Sequence, residues 1–215
     1  MTLVNSLSLL LRVQGTVPTD NPYLLAAHLD VVPPGDLNRW DHDPFLGDIV
    51  EDDGTEYVFG RGAIDDKHSL MGILQSLETI LAAGDRPRRT FYIGLGHDEE
   101  ISGHQGAANI ARELQTQLED NEETLEFLLD EGMTVMQGVV PGLEDPALYI
   151  GVVEKGWASL ELRVEAAQKH SSTPPRHSAA GILAEALSRL EKHRSPAKFG
   201  SGPERDTMQY LGEAS

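Results

Sequence analysis

An α/β fold, built on a mainly parallel mixed sheet with crossover helices, is the architecture this sequence predicts, and three observations predict it. Short apolar runs bounded by turn residues recur at Tyr23–Ala27, Thr90–Leu95 and Leu125–Leu129, the pattern of buried strands. Between them lie two longer stretches whose apolar residues repeat at helical spacing, and strand–helix–strand alternation implies parallel neighbours joined by crossovers. After Pro146 the texture shifts to apolar–polar alternation, which suits half-exposed antiparallel strand. A second domain therefore begins near residue 155, dividing the chain into 1–154 and 155–215.

The elements follow in order. The first residues, MTLVNSLSLLLRVQGT, hold a short apolar run at Leu9–Leu11 with no basic region before it, which argues against a signal peptide. Asp20-Asn21-Pro22 opens the strand at Tyr23, and His28-Leu29-Asp30 closes it. Residues 31–56, rich in Pro, Gly and Asp, read as loop or edge hairpin, followed by a strand at Tyr57–Phe59 that ends in Gly60-Arg61-Gly62. Leu70, Ile73, Leu74, Leu77 and Leu81 mark a helix, stopped by Gly84 and Pro87. A second helix carries Ala107, Ile110, Ala111, Leu114 and Leu118 on one face. The strand at Leu125–Leu129 runs into Asp130-Glu131-Gly132. Beyond it, Ala147–Val153 and the alternating Trp157–Val164 read as strands, Pro174-Pro175 as loop, and Ile182, Leu183, Ala186, Leu187 and Leu190 as a helix face. Residues 195–215 carry no strong pattern.

Composition narrows the chemistry. In 215 residues, 17 Lys and Arg face 35 Asp and Glu, a formal charge of −18 that repels phosphate backbones and anionic lipid and excludes nucleic acid as a partner. There are no cysteines, which excludes disulfides, thiolate zinc sites and a cysteine nucleophile. Any bound metal must be held by oxygen and imidazole. No stretch approaches the ~20 apolar residues of a membrane-spanning helix, and nothing in the sequence fixes a compartment.

In open sheets, ligands collect beyond the carboxyl ends of the strands. Three strand ends here deliver metal-type donors to that rim: His28 with Asp30, Asp98-Glu99-Glu100, and Asp130-Glu131. In His28-Leu29-Asp30 the period of two puts imidazole and carboxylate on one side, so Asp30 can accept the second ring proton while His28 faces a metal. Gly60-Arg61-Gly62-Ala63-Ile64-Asp65-Asp66-Lys67 sets carboxylates just before a helix. Asp65 can bridge two cations, and Asp66 better suits a helix N-cap. Three adjacent acids at 98–100 repel one another unless cations or protons intervene, and a division of labour resolves this, with Glu100 on metal and Glu99 as general base. Either acid of Asp130-Glu131 can supply a further ligand, and Asp130, directly after the apolar run, is preferred.

AAHLDVVP, the segment Trp40–Phe45, GRGAIDDK, GHDEEISG and LLDEG occur together in an order that resembles metallopeptidase family 20, the dinuclear zinc hydrolases that include aminoacylase and carboxypeptidase S. The resemblance covers residues 26–132 and continues through VVEKGWASLELRV and HSSTPP to about residue 193. It is nearest to the fatty-acyl-amino-acid and carboxypeptidase S branches. It implies a zinc-exopeptidase-like catalytic domain over 1–154 and the start of an α+β lid and dimerisation domain over 155–215. It further implies two zinc ions: one held by His28, Asp130 and bridging Asp65, the other by Asp65, Glu100 and a downstream histidine. Glu99 is then the general base, Asp30 the partner of His28, and His170 the lid histidine that steadies an oxyanion. Lys169 stands where the family has glycine before that histidine. The implied activity is hydrolysis of amide bonds in N-acyl amino acids or small peptides, reversible toward condensation of fatty acid and amino acid, with a homodimer formed through the lid. No histidine follows the lid segment, so the resemblance also implies a fragment truncated at both ends. The alternative is a metal-binding piece without catalytic competence.

Overall fold

The computed structural model describes residues 1–132, 135–139, 143–156, 158–167 and 169–214, with the side chains at 213 and 214 excepted. The chain divides into two compact units, Met1–Glu131 and Gly132–Ser215.

In the first unit, β1 (Thr2–Val4) and β2 (Ser8–Val13) form a hairpin with Val4 opposite Ser8. Asn5 and Ser6 turn it with φ of 46° and 68°, conformations Asn tolerates better than most residues. Then come β3 (Tyr23–His28), β4 (Asp48–Asp52) and β5 (Thr55–Phe59), the last two a separate antiparallel ribbon within and just after the segment read as loop or edge hairpin. Helix α1 (Lys67–Ala82), strand β6 (Phe91–Gly96), helix α2 (Ala107–Asp120) and strand β7 (Leu128–Leu129) complete the unit.

The main sheet has the order β1-β2-β6-β3-β7. It is mixed rather than mainly parallel, because β3 runs parallel to β6 and β7 while the initial hairpin adds two antiparallel pairings at the other edge. Side chains alternate across it. Tyr92 joins Leu10, Leu24, Ile110 and Leu114 under α2, whereas Phe91, Ile93 and Leu95 join Ala27, Leu70, Ile73 and Leu77 under α1. Every residue of β6 is buried, as a central strand covered on both faces should be. The register places Tyr23 opposite Phe91 and His28 opposite Gly96, so β3 and β6 end flush. That alignment sets His28 beside the turn that carries Glu99 and Glu100.

One polar knot ties the α2 side together. Tyr92 donates its hydroxyl to Glu123 at 3.0 Å, Arg12 Nε donates to the Tyr92 hydroxyl at 3.1 Å, and Arg12 pairs with Glu123 at 2.6 Å.

The second unit holds β8 (Val135–Met136) paired antiparallel with β9 (Ala147–Leu148), then α3 (Ala179–Lys192) and α4 (Pro203–Ala214). Ser178 caps α3 by accepting from the Gly181 amide at 3.0 Å. Several expectations change here. The strand at Ala147–Val153 shrinks to two residues, and residues 158–164 form no strand, with Trp157 outside the described residues. Alternation makes a strand only where an edge is available to pair with, and these residues are largely exposed. The patternless tail contains α4. Among the described residues no helix is long and apolar enough to cross a membrane.

Candidate metal centre

His28 ends a strand flanked on both sides, and its side chain is only 4% exposed. Its backbone amide donates to Asp66 Oδ2 at 3.2 Å. Ring atom Nδ1 lies 3.0 Å from the main-chain oxygen of Asp30 and 3.4 Å from that residue's Oδ1. The other ring nitrogen, Nε2, faces acids: Asp65 Oδ1 at 2.8 Å, Glu131 Oε2 at 3.4 Å and Glu99 Oε2 at 3.9 Å. With Nδ1–H given to a carbonyl, Nε2 is the atom left to bind a cation.

The two aspartates before α1 divide their work. Asp65 is exposed and meets the ring, while Asp66 is wholly buried and meets the backbone of His28. The N-cap role expected of Asp66 is not realised, for its side chain makes no capping hydrogen bond. Its Oδ1 has no hydrogen-bond partner among the described residues.

Glu99 and Glu100 sit on the turn after β6, and their amides donate to Asp30 Oδ1 at 3.0 Å and Asp30 Oδ2 at 3.1 Å. Asp98, the third acid of that run, is buried and faces away. Its two oxygens accept from the amides of Gln105 and Gly106, each at 2.7 Å, and so tie the turn to the start of α2.

Two groups of donor atoms come within 4.8 Å of one another: His28 with Asp65 and Glu131, and His28 with Glu99 and Glu100. Of the residues expected at the rim, the structure thus gathers His28, Asp65, Glu99 and Glu100 and places Asp30 behind them. At the end of β7 it is Glu131 that approaches the imidazole. Asp130 is exposed beside it, with Oδ1 accepting from the Glu131 amide at 2.9 Å. His170 belongs to the second unit, where Nδ1 meets Ser172 Oγ at 2.8 Å. Asp66 and Asp98 were not anticipated as anchors. The adjacent-acid pairs are the one signal for them, since like charges so close need separate partners.

The electrostatics agree with crowding of acids around one imidazole. Burial works against protonation of His28, yet the Asp65 hydrogen bond, the charge of Glu131 and the contacts with Asp30 raise its pKa overall. Burial, with neighbouring Glu100, Asp30 and Asp65, pushes the Glu99 carboxyl up against the opposing pull of His28. Glu131 is raised by burial and by Asp66, Asp65 and Glu99, again against His28. A buried imidazole facing several carboxylates is a hard, oxygen-rich donor set completed by nitrogen, which fits zinc. An apolar cavity of about 460 Å³ opens beside His28 and Glu99, walled by Leu24, Ile110, Leu114 and Leu128.

Several known proteins are similar to this chain. The sequence profile of peptidase family M20/M25/M40 matches residues 24–212. The chain is 50% identical over 209 residues to N-fatty-acyl-amino acid synthase/hydrolase of Danio rerio, covering 97% of this chain and 39% of that protein. It is 43% identical over 209 residues to the Homo sapiens protein of the same name, 97% of this chain and 40% of the other. Against carboxypeptidase S of Saccharomyces cerevisiae it is 35% identical over 201 residues, 91% of this chain and 33% of that one. A crystal structure of human carnosine dipeptidase 1 is similar at 19% identity with a TM-score of 0.47, covering 60% of this chain and 26% of that chain. The chain spans about two fifths of the length of the Danio rerio and Homo sapiens relatives.

Proposed function

The chain belongs to peptidase family M20/M25/M40, and on that premise we propose that it carries most of the active site of a zinc-dependent hydrolase of amide bonds in N-acyl amino acids or small peptides. The observation that carries this reading is the convergence on His28 Nε2 of carboxylates from three separate segments. Relatives named for fatty-acyl-amino acids and for carboxypeptidase activity support the substrate class.

His28, Asp65, Glu100 and one acid of the Asp130-Glu131 pair would hold two zinc ions. Bound there, zinc supplies Lewis-acid polarisation of the scissile carbonyl and a water acidic enough to attack near neutral pH. Glu99, with its proton affinity raised, accepts the proton of the attacking water and returns it to the leaving nitrogen as the carbon–nitrogen bond breaks. The Asp30 carbonyl keeps the imidazole of His28 oriented. The apolar cavity beside Glu99 suits an acyl tail, and the same site run in reverse condenses a fatty acid with an amino acid. The family resemblance makes His170, in the second unit, the candidate donor to an oxyanion. The lid that the resemblance implies also forms the homodimer contact.

Elemental analysis after dialysis tests the reading. Wild-type protein is expected to retain zinc and Asp65→Ala to lose it, and wild type without metal would refute the site. Asp130→Ala and Glu131→Ala, compared in the same way, identify the ligand at the end of β7. A second reading is a metal-binding chain that turns nothing over. Zinc-dependent release of amino acid from N-acyl substrates by the 215-residue chain would exclude it.

A further inference from the structure

We propose that Asp30 is a positioning residue whose carboxylate sets the place of Glu99 and Glu100 by holding both of their backbone amides, and that its contact with the imidazole is subordinate. The two oxygens are divided one to each amide, at 3.0 Å and 3.1 Å. The ring nitrogen is nearer to the Asp30 main-chain oxygen, 3.0 Å, than to its carboxylate, 3.4 Å. A main-chain carbonyl fixes the tautomer whatever the side chain at this position. The carboxylate is therefore free for another task, and the turn after β6 is where that task lies.

The turn is pinned from two directions. Asp98 ties it to α2 through the amides of Gln105 and Gly106, and Asp30 ties it to the end of β3 through the amides of Glu99 and Glu100. Between these anchors the backbone passes through Ser102 and Gly103 with φ of 81° and 64°. Without Asp30, the amides of Glu99 and Glu100 lose their carboxylate acceptors, and the turn keeps the Leu29–Gly96 backbone bond at its start and the Asp98 clamp to α2. The two N–H dipoles also stand between the Asp30 carboxylate and the Glu99-Glu100 pair, offsetting what would otherwise be a repulsive cluster. Hydrogen bonds to a charged acceptor are among the stronger ones a backbone amide makes.

This inference rests on the roles proposed for Glu99 and Glu100, but its test does not. Amide hydrogen exchange and nitrogen-15 NMR are measured on the metal-free 215-residue chain. In Asp30→Ala the amides of Glu99 and Glu100 are expected to exchange about tenfold faster or more. The amides of Ile93 and Leu95 and the tautomer of His28 are expected to stay as in wild type. Asp30→Asn, with a single acceptor oxygen, should restore protection to one of the two amides. Unchanged exchange at 99 and 100, or a changed tautomer with unchanged exchange, would overturn the proposal. Should Asp30→Ala not fold, full protection of both amides in Asp30→Asn overturns it equally. Zinc retention belongs to the earlier reading: its failure in wild type sinks that reading and leaves the amide result standing.

Discussion

Gly106 leaves no room for a side chain. A Cβ there would lie 2.5 Å from Asp98 Oδ1 and 2.8 Å from the His97 nitrogen, inside the clamp that joins the acidic turn to α2. Gly106→Ala is expected to destabilise the fold by ~1–3 kcal/mol. Gly72, in the interior of α1, is the matched control, because a Cβ added there meets nothing within 4 Å. Gly72→Ala should stabilise by ~0.5–1 kcal/mol, and urea unfolding of both variants checks the pair. Legibility at this scale was uneven. The spacing of His28 and Asp30 was readable because a strand's period of two puts both on one side. What Asp30 holds was not readable, since its partners are amides 69 and 70 residues away. The choice between Asp130 and Glu131 stayed open because adjacent residues at a strand end point to opposite sides, and a register shift of one exchanges them.

The helices α1 and α2 were legible as elements because each has one apolar stripe that the sheet must cover. The hairpin of β1 and β2 was not, although Asn5-Ser6 between two apolar runs was the available turn signal. Strand β7 came out two residues long where five were expected, for it has a partner, β3, on one side only among the described residues. The knot of Arg12, Tyr92 and Glu123 joins β2, β6 and the segment after α2, and it carries a pH dependence. Burial pushes the Tyr92 phenol above its ordinary value of about 10. Hydrogen bonding to Arg12 works against this, and the hydrogen bond and charge of Glu123 add to it. Below about pH 10 the phenol is protonated in folded and unfolded chains alike, and its contribution is intact. Above that pH the unfolded chain ionises first, so stability is lost as pH rises toward the folded pKa. Denaturation midpoints should therefore fall more steeply in alkali for wild type than for Tyr92→Phe. Equal slopes would show that the knot does not couple to folding.

At the scale of the whole chain, the sequence points to a candidate donor rim in the first unit because strand ends in an alternating α/β chain must lie together. Local pattern does not show how little regular pairing the described residues of the second unit contain. Residues 158–164 alternate well but are largely exposed and unpaired as strand, and local pattern cannot announce a missing neighbour. The outer edge of β7 makes the same point within the first unit. Phe127, Leu128 and Leu129 are each about half exposed, with relative exposures of 48%, 55% and 56%. Leu128 borders the cavity beside α2, and Leu129 borders another of about 430 Å³ beside α1. A strand edge that has no partner among the described residues, with greasy side chains above and below, is a template for recruiting further polypeptide. Kept at high concentration as purified material, the 215-residue chain is expected to scatter light increasingly with time, and Leu128→Lys should slow that growth by putting a charge on the sticky border.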